Sequence, residues 1–245
     1  MVYGLISDIH ANLEALEAAL AELSGVEAYL CLGDIVGYGP DPSACLARVR
    51  ALPGLVCIVG NHDLAAVGAY DLDWFNPYAR HAVEWTAAQL SPEETDYLRA
   101  LPDKEEVAGT VLVHGSLPQP ELMNYITTPE DALECFDAFG GALCFIGHTH
   151  LTEYYHRAET VRACRRVGLF RGGRLELQRD RRYLINPGSV GQPRDGNPRA
   201  SFGIYDTTAR TVEIRRVAYD LPTVQKKMNE AGLPRYLSER LRRGV

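Results

Sequence analysis

Five short segments of this 245-residue chain hold residue types that bind metal ions or phosphate. They are Ser7-Asp8-Ile9-His10, Gly33-Asp34, Gly60-Asn61-His62-Asp63, His114-Gly115 and Gly147-His148-Thr149-His150, and they contain five of the seven histidines. Asp8 and His10 stand two apart, so in an extended loop both side chains project to one side and can share one ion. His148 and His150 repeat that spacing. A mixed carboxylate and imidazole set suits Mn²⁺, Fe or Zn²⁺ better than Mg²⁺ or Ca²⁺, which favour oxygen alone. Taken singly, each segment is a weak signal: a lone DxH or HxH is more often a surface pair, and Asp8 and Asp34 each read also as the N-cap of a following helix.

Position gives the segments their joint weight, because each follows a predicted strand. Val2–Ile6 is a short apolar run, followed over residues 12–23 by leucine and alanine at helical spacing. The unit repeats with a strand over 28–32, a glycine- and proline-rich loop and a helix at Pro42–Arg50, then a strand over 55–59. Residues 77–101 are expected to be wholly helical, with Pro77 and Pro92 as first-turn prolines and Ser91 as a cap. Strands follow at Thr110–Val113 and over 143–146, separated by a helix that Thr128 and Pro129 begin. Alternating strands and helices imply a largely parallel sheet, at one edge of which the five loops would meet. From Thr152 the texture changes to short glycine-broken runs (153–156, 162–170, 174–177, 183–185, 202–205, 212–217), read as antiparallel strands, before helices near 222–231 and 234–243. No linker or repeat separates the halves, so residues 1–245 are expected to form one α/β domain in which two sheets face each other.

With 46% apolar residues the chain can bury a full core. No run approaches the ~20 apolar residues of a membrane helix, and the start shows no basic region or cleavage site, so a soluble cytoplasmic protein without membrane partners is the default expectation. The six scattered cysteines form no CxxC pair and read as reduced core residues. The net charge of −7 hides a division: residues 1–156 carry 23 acids and 5 bases, and residues 157–245 carry 9 acids and 20 bases. The two halves can pack with complementary charge, or the arginines from Arg157 to Arg182 can draw in an anionic substrate. The acidic total and the lack of interleaved aromatics disfavour nucleic acid as a partner.

DxH, GD, GNHD, HG and GHTH, in this order and spacing, resemble the calcineurin-like metallophosphoesterases, in their compact bacterial and archaeal branch. The resemblance spans roughly residues 1–200 and includes Asn186-Pro187-Gly188-Ser189. It implies a four-layer α-β-β-α sandwich of two facing mixed sheets flanked by helices. It also implies two divalent metal ions, Mn²⁺ foremost with Fe, Zn²⁺, Ni or Co as alternatives. Asp8, His10 and His150 would hold the first ion, Asn61, His114 and His148 the second, and Asp34 would bridge them. His62 would stand just outside and contact the phosphate, so that His62, Asp34 and Asn61 carry the catalysis. The implied activity is hydrolysis of a phosphate monoester or diester by a metal-bridging hydroxide, with in-line attack and inversion at phosphorus. Physical chemistry agrees: paired metals lower the pKa of a shared water, Asp34 offers two oxygens, Asn61 a neutral carbonyl, and an imidazole near its ordinary ~6.5 can protonate a leaving alkoxide.

Around this set, Tyr38 in Gly37-Tyr38-Gly39-Pro40 reads as a border of the substrate or as a packed loop anchor. Asn186 and Arg194 are available to bind phosphate, Asp63 to orient His62 or cap a helix. The stretch from Tyr70 to Phe75, with Trp74, reads as core packing or as a lid wall, and His81 and His156 read as structural. The expected partner is a small phosphorylated substrate, and self-association into a homo-oligomer is left open. The rivals are a catalytically silent scaffold of the same fold and, behind it, a nuclease.

Overall fold

The computed structural model describes residues 1–245. Strands β1 (Val2–Ile6), β2 (Ala28–Cys31) and β3 (Val56–Cys57) run parallel, and β11 (Ala200–Asp206), β12 (Thr211–Val217) and β9 (Gly173–Glu176) continue the same sheet antiparallel, in the order β3-β2-β1-β11-β12-β9. The second sheet has the order β4-β5-β6-β10-β7-β8, from strands Lys104–Val107, Thr110–Val113, Leu143–Phe145, Arg181–Pro187, Thr152–Ala158 and Arg165–Gly168 respectively. Here β5, β6 and β10 are parallel and the other pairings antiparallel. Both sheets are therefore mixed, and each draws strands from both halves of the sequence.

The sheets pack face to face over Leu5, Leu30 and Leu32 on one side and Leu112, Phe145 and Ile185 on the other. Helices α1 (Leu13–Glu22), α2 (Pro42–Arg50), α3 (Asn61–Ala66), α4 (Pro77–Ala87) and α5 (Pro92–Arg99) lie with the outer face of the first sheet. Leu16, Leu20, Leu46 and Val49 bury themselves there against Tyr29 and Cys31. Helix α6 (Pro129–Ala138) covers the second sheet through Ala132, Cys135 and Phe136, and α7 (Leu221–Glu230) and α8 (Arg235–Arg240) close the C-terminus on α4 and Tyr38. The result is the four-layer α-β-β-α sandwich. No helix is long and apolar enough to cross a membrane.

Two local expectations change. Residues 77–101 form two helices, because Ser91 accepts from the Glu94 amide at 3.2 Å while Glu94 reaches back to the Ser91 amide at 2.7 Å, and this capping box starts a new helix. The strand Lys104–Val107 has a charged, mostly exposed face and no apolar alternation to announce it; it is an edge strand. All six cysteines are free, four of them buried.

Candidate metal centre

The five segments do not share one sheet edge. Three follow β1, β2 and β3 of the first sheet, and two follow β5 and β6 of the second. Because the sheets stack with these strands ending on the same side, the loops meet across the gap between them. The loops hold one another by backbone hydrogen bonds: the amides of Asp8 and His10 donate to Gly33 and Asp34 carbonyls at 3.0 Å, and Val190 and Gly191 donate to Ser7 and Asp8 at 2.9 and 3.0 Å. Neither aspartate caps a helix. Asn12 caps α1 and Asp41 precedes α2.

This mutual grip sustains an unfavourable backbone. Asp8 (φ 51°), His10 (φ 50°), Asp34 (φ 54°), His148 (φ 67°) and His150 (φ 59°) are all left-handed, and so are Ala11 and Tyr38. Such conformations cost roughly 1 kcal/mol or more per non-glycine residue and persist only where surroundings over-determine them. Gly60 is required sterically, since a Cβ there would lie 2.1 Å from Asp34 Oδ1.

Side-chain tautomers are set from behind. His10, His114 and His150 direct Nδ1 at the carbonyl oxygens of Val36, Leu32 and Gln192, at 3.2, 2.6 and 2.6 Å. With Nδ1–H donating, each Nε2 turns inward, presenting a lone pair wherever the ring is neutral, as in His10 and His150. His10 Nε2 and His150 Nε2 then face each other at 3.0 Å, both as acceptors, an arrangement that calls for a cation between them. Asp8 Oδ1 lies 3.3 Å from His150 Nε2, with Ser7 Oγ donating to Oδ2 at 2.6 Å. Asp34 Oδ1 accepts the His62 amide at 2.8 Å, which leaves Oδ2 between His114 Nε2 at 3.3 Å and His10 Nε2 at 3.5 Å. Asp34 Oδ2 is thus the oxygen of this carboxylate that faces the ligand histidines.

Asp34 Oδ2, His114 Nε2 and Asn61 Oδ1 are all buried with no hydrogen-bond partner. Orphaned buried polar atoms are rare and costly, and here three converge. The donors fall into two groups that share Asp34: Asp8, His10, Asp34 and His150, and Asp34, His114 and His148, with ligand atoms in each group within 4.8 Å of one another. The residues present fit metal ions.

Protonation agrees. Burial drives His10 and His148 well below the usual imidazole range and lowers His150, leaving neutral ligands. Burial opposes ionisation of Asp34 and Asp8, but His114 chiefly for the first and His150 for the second hold them well below the usual carboxylate range. Against the burial penalty, Asp34 pulls His114 up to about 10. The field between these two side chains favours positive charge, which a bound cation supplies.

A cavity of about 500 Å³ opens from Asn61, His62 and His148. His62 packs against Tyr38 at 4.3 Å and meets the edge of Phe75 at 4.8 Å between centroids. Burial pushes its pKa down to about 4, so it is neutral here and not poised near the ordinary histidine value. Tyr38 is buried against α4 and α7 and also lines the cavity, which joins its two readings. Arg194 donates to Gln192 Oε1 at 2.8 Å and lies 5.7 Å over the Tyr38 ring.

The remaining positions resolve between their readings. Asn186 is consumed internally, donating to the Gly147 carbonyl at 2.7 Å and to Thr149 at 3.0 Å, so it pins the GHTH loop. Asp63 caps α3, accepting from Gly60 at 3.1 Å and from Val36 at 3.0 Å. Trp74 is 80% exposed, which removes it from the core, and it joins Tyr70 and Phe75 in the cavity wall. His81 is exposed and His156 accepts from Arg181 at 2.7 Å. The arginines at Arg181 and Arg182 start β10, whereas the site adjoins its other end at Asn186, roughly 13–17 Å away at strand rise. Sequence reasoning missed Tyr125, which stacks on His148 at 3.9 Å, and Ser189, which donates to the Asp8 carbonyl at 2.7 Å and accepts from Gln192 at 2.7 Å. The Asn-Pro-Gly-Ser run was the signal for Ser189; Tyr125 had none.

Residues 1–210 match the model of the calcineurin-like phosphoesterase superfamily domain. The chain belongs to the calcineurin-like phosphoesterase superfamily. It is 38% identical over 243 residues to an uncharacterized protein, MJ0912, of Methanocaldococcus jannaschii, covering 97% of this chain and 96% of that one. Among solved structures, the metallophosphoesterase from Sphaerobacter thermophilus superposes with a TM-score of 0.88 at 43% identity, over 100% of this chain and 99% of that one. The hypothetical protein PH1004 of Pyrococcus horikoshii OT3 shares the fold, with a TM-score of 0.79 at 20% identity over 100% and 98% of the two chains. Within this superfamily, the buried histidine and aspartate cluster is consistent with a metal site.

Proposed function

We propose that this protein hydrolyses a small phosphorylated compound, a phosphate monoester or diester, with two divalent metal ions, Mn²⁺ foremost. Asp8, His10 and His150 would hold one ion, Asn61, His114 and His148 the other, and Asp34 would be shared by both. The observation that carries this reading is the convergence of unpartnered, buried donor atoms on Asp34, His114 and Asn61 beside the facing Nε2 lone pairs of His10 and His150. When bound, the ions would supply an activated water and neutralise phosphoryl oxygens.

The chain's own groups do the rest. The carbonyls behind His10, His114 and His150 keep each ring in the ligating tautomer. His62, neutral through burial and wedged between Tyr38 and Phe75, would present an N–H to a phosphoryl or leaving oxygen from a fixed position. Arg194 and Tyr38, linked at 3.4 Å, would border the substrate. Metal analysis and turnover of p-nitrophenyl phosphate and bis-p-nitrophenyl phosphate with Mn²⁺ test the reading. Two ions per chain are expected, and His62→Asn should keep both while lowering kcat by at least ~100-fold. An inactive protein with both metals bound supports the scaffold alternative; an unchanged rate in His62→Asn removes His62 from the chemistry.

A further inference from the structure

The cavity beside the cluster has a chemical character of its own. Asn61, His62 and His148 form its floor, so any compound whose phosphoryl group reached the cluster would lodge its organic part here. Tyr70, Trp74, Phe75 and Tyr125 make up much of the wall. Two of them are placed at a cost. Trp74 is 80% exposed on the short 3-10 turn Leu72–Trp74, and Tyr125 is 52% exposed although its ring stacks within 16° of the His148 plane. Large aromatic surfaces facing water beside a cavity mark a binding surface.

Charge narrows the choice further. No lysine or arginine lines the cavity, and its two ionisable acids are Asp71 and Glu121. Arg194 reaches both Tyr38 and Tyr125 at the end next to the cluster. Beyond it, toward Asp71 and Glu121, a second or third phosphate on the organic part would lie among aromatic rings and carboxylates without a counter-charge.

Resting on the phosphoesterase reading above, we infer that the cavity between Trp74 and Tyr125 binds a flat ring of the substrate. The substrate class is a nucleobase- or aryl-bearing ester with a single phosphoryl centre, and polyphosphates are disfavoured. One stacked ring contributes on the order of tenfold in binding.

The test uses matched pairs that differ only in the ring. AMP and ribose 5-phosphate are the monoester pair, and their methyl esters, adenosine 5′-(methyl phosphate) and ribose 5-(methyl phosphate), are the diester pair; within each the leaving group is shared. With the Mn²⁺-loaded protein, kcat/KM should favour the base-bearing member of at least one pair by about tenfold, chiefly in KM, and Trp74→Ala should reduce that ratio to within about twofold. ATP should inhibit more weakly than AMP, and Asp71→Asn with Glu121→Gln should narrow the gap. Trp74 is one of two tryptophans, so binding is also read without turnover: AMP should quench the fluorescence of metal-loaded His62→Asn, ribose 5-phosphate should not, and the quench should vanish when Trp74→Ala is added. Turnover without preference for the ring, or ATP binding more tightly than AMP, overturns the inference while leaving the hydrolase reading standing. Quenching without any turnover does the reverse.

Discussion

The same two sheets end very differently on their two sides. Where β1, β2, β3, β5 and β6 finish, Asp8, Asp34 and five histidines are buried, and most of the non-glycine residues with left-handed backbone are ligand candidates held by neighbouring loops. Where β10 begins, the chain sets arginines in partly open positions, and left-handed residues occur at Ala108, Gly109 and Arg210, in hairpin turns whose geometry requires them. Arg182 there donates to the Gly141 carbonyl at 2.9 Å and stacks 4.4 Å from Phe139, while Arg157 pairs with Asp137 at 2.9 Å. One end thus gathers strain, like charge and orphaned atoms at a single point; at the other the unpartnered atoms, Arg157 Nε and Arg181 Nε, belong to guanidiniums that otherwise pair with Asp137 and His156. Cost without internal relief points to something bound, and that contrast identifies the functional end more securely than any single motif.

Removing the central carboxylate should break the contrast most sharply. Asn in place of Asp34 keeps an oxygen for the His62 amide and tolerates a left-handed backbone, so the metal-free fold should change little. The shared ligand charge is lost, however. Asp34→Asn should lower turnover by the order of 10³ and abolish most of the stabilisation by Mn²⁺. For the unaltered protein that stabilisation is about 4 kcal/mol per independent site at a thousand times Kd. Thermal melts with and without Mn²⁺ measure it. An equal Mn²⁺ shift in both proteins would mean that metal binds elsewhere.

Next in size is the strut beneath the functional end. Asp195 and Arg216 form an ion pair with side chains 0% and 3% exposed. Asp195 also accepts from the Thr152 amide at 3.3 Å, and the adjacent Arg194 amide donates to His150 at 3.2 Å. Asp195→Ala strands a buried guanidinium and should cost about 3–5 kcal/mol, with weaker metal affinity because His150 loses its support. Adding Arg216→Met should recover much of the stability. Chemical denaturation of the three proteins decides it: a double variant as unstable as the single would show that packing, not unpaired charge, sets the cost.

Much of this end was legible in the sequence because ligand chemistry restricts residue type. Aspartate, asparagine and histidine after successive strands leave few alternatives, and the Asp8–His10 spacing anticipates a shared group, whereas His148 and His150, at the same spacing, fall in different groups. Strand and helix existence followed from apolar period, as in β1 and α1. What stayed hidden depended on tertiary placement. Nothing local says that Asp34 spends Oδ1 on the His62 amide, that Asn186 is consumed by Gly147 and Thr149, or that Trp74 stands in water. The exposed charges of β4 carry no period to read, whereas the break within residues 77–101 was legible in the Ser91 cap and first-turn Pro92. The single sheet edge expected for the five loops became a gap between two sheets, since strand order within a sheet does not specify how sheets stack.

The smallest effects should come from the arginine end. Arg157 has one carboxylate partner, Asp137, which is 47% exposed, and such half-open pairs contribute about 0–1 kcal/mol. Arg157→Ala should therefore lower stability by no more than ~1 kcal/mol, with some of that from lost packing on Phe136 at 5.1 Å. Its kcat/KM should stay within twofold of the unaltered protein at low and at high salt, because a charge four strand residues from the Asn186 end, ~13 Å at strand rise, lies beyond the ~10 Å Debye length at 0.1 M. If instead Arg157→Ala lowered kcat/KM severalfold at low salt and the loss faded as salt rose, the basic half of the chain would be steering anionic substrate toward the acidic end. The uneven charge of the sequence would then belong to function and not to packing alone.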